Sequence, residues 1–280
     1  MQKLKDLSAR HATVTQSEFG GFWCLVGFGM NQLQDPFQYH PELRDKITEP
    51  LSSFFRNFRA ETILEKHPEL EWVGEFLHTD DEREKSRLDA LKHHPEEDLW
   101  VFAYGSLMWD PALKFSEVRR AKVLGYERRF ILKEIYGGRG NKEAPGLMAA
   151  LDRGDGCEGL IFRIPKDFIE FETEILWRRE LVVPTYTPAF VTAVADDQHL
   201  KVLTFVADHQ TVQICGDISR EEQINCLVNG RGILGTSLEY LENVVSQFEV
   251  LGIKDEECST LLAEAKAHRL SLATSDEGGV

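Results

Sequence analysis

The chain changes texture near residue 97, and that change restricts its fold more than any other feature. From about Gln34 to Asp98 it is charged and helix-like, as in PELRDKITEPLSSFFRNFRAETILEKHPELEWVGEFL, with apolar residues three to four apart and Pro50 placed to kink or break a helix. After Leu99 the apolar residues gather in short strand-like runs: LWVFAYG, RRAKVLGYERRFIL, GLMAAL, CEGLIFRI, TYTPAFVTAVA and LKVLTFVA. One amphipathic segment interrupts them, PKDFIEFETEILWRRE (Pro165 to Glu180), opened by proline and acids and carrying Phe168, Phe171 and Ile175 at helical spacing. The remainder is helical: Ser219 and Glu222 form a capping-box pattern, Ser237 opens LEYLENVVSQFEVLG, and Gly252 stands where that helix should end. Strands followed by a helical tail predict an α+β domain rather than a doubly wound sheet. Three parts are expected: a helix-rich N-terminal extension over 1–97, a mixed strand-and-helix domain over 98–270, and a disordered tail over 271–280.

A chain of 280 residues, 42% of them hydrophobic, can bury one sizeable core and leaves room for a second small unit. Its formal net charge of −15 repels a phosphate backbone, and no Lys/Arg-rich stretch compensates, which argues against nucleic acid as a partner. The five cysteines, Cys24, Cys157, Cys215, Cys226 and Cys258, are far apart and form no CxxC pair, a pattern that suits free thiols in a reducing cytoplasm and offers no zinc site. The stretch FGGFWCLVGFGM (Phe19 to Met30) is too short to span a bilayer and has no small-residue cleavage site after it. It is expected to be buried or interfacial, with a signal peptide as the alternative. HPE occurs at His40, His67 and His94 with equal spacing. A histidine metal site is the sharp reading; a helix start with proline in its first position and an acid behind it is the reading we prefer.

Ser106 sits in VFAYGSLMWDP, where a strand-like run meets a glycine turn. Neither the G-x-S-x-G elbow of a hydrolase nor a Walker loop is present, there or in GGRGNKEAPG. What remains is a turn whose backbone N–H groups could hold a carboxylate or an oxyanion. Glu180 follows Trp177, Arg178 and Arg179 and precedes an apolar LVV; burial would raise its pKa and the arginines would lower it. From these residues alone a salt-bridged structural glutamate is the preferred reading. Trp100, Trp109 and Trp177 read as core, Cys157 as a small buried hydrophobe, and Arg139 as a loop arginine.

Five segments in order, WVFAYGSLMWDP, GGRGNKEAPGLMAALDRG, CEGLIFRIP, ILWRRE and GTSLEYLENV, resemble the ChaC-like γ-glutamylcyclotransferase family over roughly residues 98 to 268. The resemblance implies a small mixed α+β, barrel-like domain that cleaves glutathione to 5-oxoproline and cysteinylglycine, with no cofactor and no metal. It gives Tyr104, Gly105, Ser106 and Leu107 as the turn that binds the γ-glutamyl group, Glu180 as the catalytic glutamate, and Tyr240 as a pocket tyrosine. Arg139 is a candidate for the glycine carboxylate of glutathione. For Glu180 to act as the proton shuttle with a lifted pKa, Arg178 and Arg179 should point away from it. Two departures stand out: LVVPTY, where Pro184 stiffens the backbone after the glutamate, and the extension over 1–97, to which the resemblance assigns no role and no protein partner. A cyclotransferase for another γ-glutamyl amine or peptide, and a non-catalytic binding module of the same fold, stay open as alternatives.

Overall fold

The structure is a computed structural model that describes residues 35–277; the Phe19–Met30 stretch lies outside them. Five strands close a barrel in the order β1-β3-β2-β4-β5: β1 (Leu99–Ala103), β2 (Glu117–Glu134), β3 (Gly146–Ile164), β4 (Tyr186–Ala195) and β5 (Gln198–Ala207). Neighbours are antiparallel except β1 and β5, which meet in parallel at Val101 and Leu203. The long β2–β3 ribbon slips register between Leu124 and Tyr126, beside Gly125 with φ +75°, and again between Phe130 and Leu132. Such bulges bend and twist a ribbon, which lets one hairpin wrap a small barrel. Phe102, Phe162 and Phe205 are buried in the core, with Trp177 edge-on to Phe205 at 5.1 Å between centroids.

The described residues form one compact unit with no break at residue 97. The segment before the barrel contains α1 (Ala60–Lys66), α2 (Asp80–Leu91) and four 3₁₀ stretches, Pro41–Leu43, Pro50–Ser52, Phe54–Asn57 and Pro68–Phe76. Pro41 and Pro68 do open helical turns, as expected for HPE. Pro95 does not: it lies in the bend that delivers the chain into β1, a position where backbone direction is set by the strand that follows. The three histidines do not converge, and among the described residues no cluster of His, Cys, Asp and Glu is placed to hold a metal.

The segment packs on α3 (Ile169–Glu180), and there the expected helix face is corrected. Phe168 and Phe171 are about half exposed, while the buried face carries Glu172, Thr173, Ile175, Leu176, Trp177 and Arg179. Two of its polar members, Glu172 and Thr173, are matched by arginines of the preceding segment. Arg56 pairs with Glu172, including an Nη2 to Oε1 bond of 2.9 Å, and Arg87 donates to Glu170 Oε1 at 2.6 Å and to Thr173 Oγ1 at 3.2 Å. A buried carboxylate is tolerated when it is paired and hydrogen-bonded, so hydrophobic spacing alone selects the wrong face.

Three helices complete the fold: α4 (Arg220–Asn229), α5 (Ser237–Leu251) and α6 (Glu256–Glu277). Ser219 caps α4, accepting from Glu222 N at 3.2 Å. The cap of α5 is Thr236, in a reciprocal box with Glu239, and Gly252 ends it with φ +63°. Ser237 is instead buried, accepting from Leu147 N at 2.8 Å and donating to the Arg139 carbonyl at 3.1 Å. The helix α6 continues past residue 270, where the composition had suggested a disordered tail. Among the described residues no helix is long and apolar enough to cross a membrane.

Candidate active site

The turn after β1 is fixed from both sides. Arg128, buried and extending from β2, donates Nε–H to the Tyr104 carbonyl at 2.6 Å, and its other nitrogens reach Asp255 Oδ2 and the Glu158 carbonyl, each at 2.7 Å. Behind the turn, Tyr240 on α5 comes so close that a Cβ on Gly105 would lie 2.6 Å from its hydroxyl. Position 105 therefore has room only for glycine.

The last turn of α3 brings Arg179 and Glu180 to the same place. Arg179 Nε lies 3.1 Å from Glu180 Oε1, its Nη2 donates to Ser106 Oγ at 2.9 Å, and its Nη1 donates to the Asp110 carbonyl. Its guanidinium carbon sits 4.1 Å from the ring centre of Phe55. This corrects the expectation that both arginines point away. Arg178 does so, binding Glu174 Oε1 at 2.8 Å and the Arg56 carbonyl at 3.0 Å, but Arg179 turns inward, where carboxylate, hydroxyl and carbonyl oxygens all await a donor.

Burial pushes the Glu180 carboxyl above its ordinary range, and the adjacent Arg179 offsets part of that rise. Burial also drives the Tyr104 and Tyr186 phenols well above their usual value and lifts Tyr240 to about 12. All three tyrosines are thus neutral donors at physiological pH; Tyr186 Oη uses its proton on the Ala149 carbonyl at 2.9 Å. Ser106 faces a guanidinium, a group that has no lone pair to take the hydroxyl proton, so this arrangement does not build a serine nucleophile.

The loop following β2 supplies Arg139. The buried Glu134 carboxylate accepts N–H bonds from Tyr136 at 2.6 Å and Arg139 at 2.5 Å, folding the loop around itself. The Arg139 guanidinium then lies 5.2 Å from the Tyr240 ring centre and donates Nη1–H to the Thr236 carbonyl at 2.9 Å.

Tyr104, Gly105, Ser106, Leu107, Arg139, Glu180 and Tyr240, every site residue named from the sequence, line one cavity of about 150 Å³. Trp109 lines it too, tilted against Tyr240 at 5.8 Å, while packing against the core as expected. Tyr186, Met148, Leu234 and Phe55 were not singled out. Tyr186 follows Pro184 and Thr185 in the departure from the family pattern, a signal that could have been followed; nothing in the local sequence marks Phe55.

Residues 99–268 match the model of the ChaC-like protein family. The chain belongs to this family. It is 31% identical over 193 residues to a glutathione-specific γ-glutamylcyclotransferase of Escherichia coli (strain K12), an overlap of 68% of this chain and 83% of that protein. With the glutathione-specific γ-glutamylcyclotransferase 1 of Homo sapiens the identity is 32% over 159 residues, covering 55% of this chain and 71% of the other. A crystal structure of a yeast γ-glutamyl cyclotransferase specific to glutathione superposes with a TM-score of 0.57 at 18% identity, over 62% of this chain and 97% of that one, and so shares the fold. The ChaC-like match contains the turn, Arg139, Glu180 and Tyr240, whereas Phe55 enters the cavity from the segment before it.

Proposed function

We propose that this chain is a γ-glutamylcyclotransferase that cleaves glutathione to 5-oxoproline and cysteinylglycine. The observation that carries the reading is one buried, pKa-lifted carboxylate, Glu180, lining the same small cavity as the anchored Tyr104–Leu107 turn. The names of the curated relatives support the choice of glutathione.

The reaction asks for positioning and one proton relay. In the proposed pose the turn holds the α-carboxylate of the γ-glutamyl group through its backbone N–H donors, and Arg139 is left for the glycine carboxylate. This bends the glutamyl chain so that its α-amine faces its own γ-amide carbonyl, and such orientation is worth on the order of 7–11 kcal/mol. Free α-ammonium groups titrate near pH ~8, so most of the substrate arrives protonated at neutral pH. Glu180 removes that proton, the amine nitrogen bonds to the γ-carbon, and as the bond from that carbon to the cysteinyl nitrogen breaks Glu180 passes the proton to the departing amine; it then relays the proton still surplus on the ring nitrogen to the same amine, which leaves as an ammonium. A lifted pKa suits a group that must both take and give, a role typically worth about 10²–10⁴-fold. Arg179 holds the carboxylate in place and, through Ser106, couples it to the turn.

The reaction is redox-neutral and its nucleophile and electrophile belong to one molecule, so these residues suffice for it. Free thiols at Cys157, Cys215, Cys226 and Cys258 fit a reducing compartment and support a cytoplasmic site of action. The deciding experiment is 5-oxoproline release from glutathione by the purified protein and by Glu180→Gln. Release that disappears in the variant is the expected result; no release by the folded wild type would return the weight to a binding module.

A further inference from the structure

Beside the substrate cavity lies a second one of about 180 Å³, where a single water needs only about 10–15 Å³. Phe58, Ile63, Leu64, Leu70, Val73 and Leu77, all from the segment preceding the family match, form one wall, and Val182 and Val183 face them. The segment is held there by the His78 N–H bond to the Val182 carbonyl at 3.0 Å and by the Arg56–Glu172 pair. The two cavities share Phe55, Met148, Arg179, Glu180, Tyr186 and Leu234. Arg179, the one cation lining the second cavity, is already committed to Glu180, Ser106 and Asp110.

We infer that this second cavity is a subsite for a large apolar substituent on the leaving amine, so that the enzyme accepts γ-glutamyl peptides with an alkylated thiol as well as glutathione. The inference rests on the cyclotransferase reading and extends it. A γ-glutamyl chain anchored at the Tyr104–Leu107 turn places its scissile amide at Glu180. Glu180 lies on the boundary of both cavities, so an alkyl group on the cysteinyl sulfur can extend into the second while the rest of the leaving dipeptide stays in the first. The walls of the second offer no free cation for a carboxylate but a predominantly apolar surface for carbon, the Glu134 carboxylate that also lines it being taken up by the backbone N–H groups of Tyr136 and Arg139. The chemistry is unchanged: the α-amine bonds to the γ-carbon, the bond to the S-alkylcysteinyl nitrogen breaks, and the proton passes through Glu180 to that nitrogen.

The test compares 5-oxoproline release from glutathione, S-methylglutathione and S-hexylglutathione. Each methylene moved from water into an apolar site is worth about fourfold in affinity, so the hexyl compound should show a KM at least about 10-fold below the methyl one. Ile63→Trp and Leu64→Trp, both on the partly exposed α1, fill the cavity from the wall supplied by the preceding segment and replace no residue of the turn or of the Arg179–Glu180 pair. Each should abolish the hexyl advantage and leave kcat/KM for glutathione within about threefold; two variants guard against one that fails to fold, which thermal unfolding reveals. Equal or weaker turnover of S-hexylglutathione by a wild type that cleaves glutathione overturns the subsite and leaves the cyclotransferase standing, and so does a hexyl advantage that survives both tryptophans. No 5-oxoproline from glutathione itself defeats the underlying reading and the subsite with it.

Discussion

Arg179 and Glu180, adjacent in sequence at the end of α3, form an ion pair inside the cavity with 3.1 Å between Nε and Oε1. Activity that needs the Glu180 carboxylate is present above its pKa and lost as pH falls through it. Because burial raises that pKa, the acid limb of kcat/KM should lie above the ordinary carboxylate range. Replacing Arg179 by methionine removes the cation that lowers it, so the limb should move to still higher pH in Arg179→Met. A profile that stays put would show that the pair does not set the titration.

The Ser106 hydroxyl accepts from Arg179, a guanidinium that cannot take its proton. Ser106→Ala should cost about 10- to 100-fold in kcat/KM, the scale of a hydrogen bond to a charged group, while turnover stays measurable. Loss as complete as in Glu180→Gln would reopen the question of a serine nucleophile.

Gly105 and Tyr240 compete for one space. A methyl at position 105 would meet the phenol oxygen at 2.6 Å, so Gly105→Ala should displace either the turn or the ring and lose most activity. Removing the hydroxyl makes room. The double variant Gly105→Ala/Tyr240→Phe should therefore be more active than Gly105→Ala alone, a coupling that steady-state kinetics on all four proteins would expose.

Arg56 and Glu172 are almost fully buried, 6% and 1% exposed. Arg56→Met leaves the carboxylate without its cation and should destabilise the fold by about 3–5 kcal/mol, whereas Arg56→Met/Glu172→Leu should recover much of that loss. Urea unfolding distinguishes this from a surface pair, for which both changes would stay within about 1 kcal/mol.

The strands were legible because their apolar runs are local: β1 to β5 fall on the segments read as strand-like. Closure into a barrel was legible only through the family resemblance, since the Val101–Leu203 pairing leaves no mark near either residue. The cavity residues inside the family motifs were legible for a different reason, the motifs themselves. Glu180 illustrates both limits: its neighbours in sequence said that burial and arginine would oppose one another, but only the fold shows Arg179 turned in and Arg178 turned out. Phe55 was hidden more deeply, as one phenylalanine in a charged segment whose position depends on a buried pair 116 residues apart.

Barrel closure also imposes an order on synthesis. Thr204 Oγ1 donates to the Phe102 carbonyl at 3.3 Å across 102 residues. At about 5–20 residues per second, the ribosome needs at least ~5 s to make the chain between them. Throughout that interval the β5-facing side of β1 is an open strand edge, the kind of surface on which nascent chains stick to one another. The same strand leads directly into Tyr104, so the newborn protein carries the turn proposed to bind its substrate at an open strand edge until β5 has emerged.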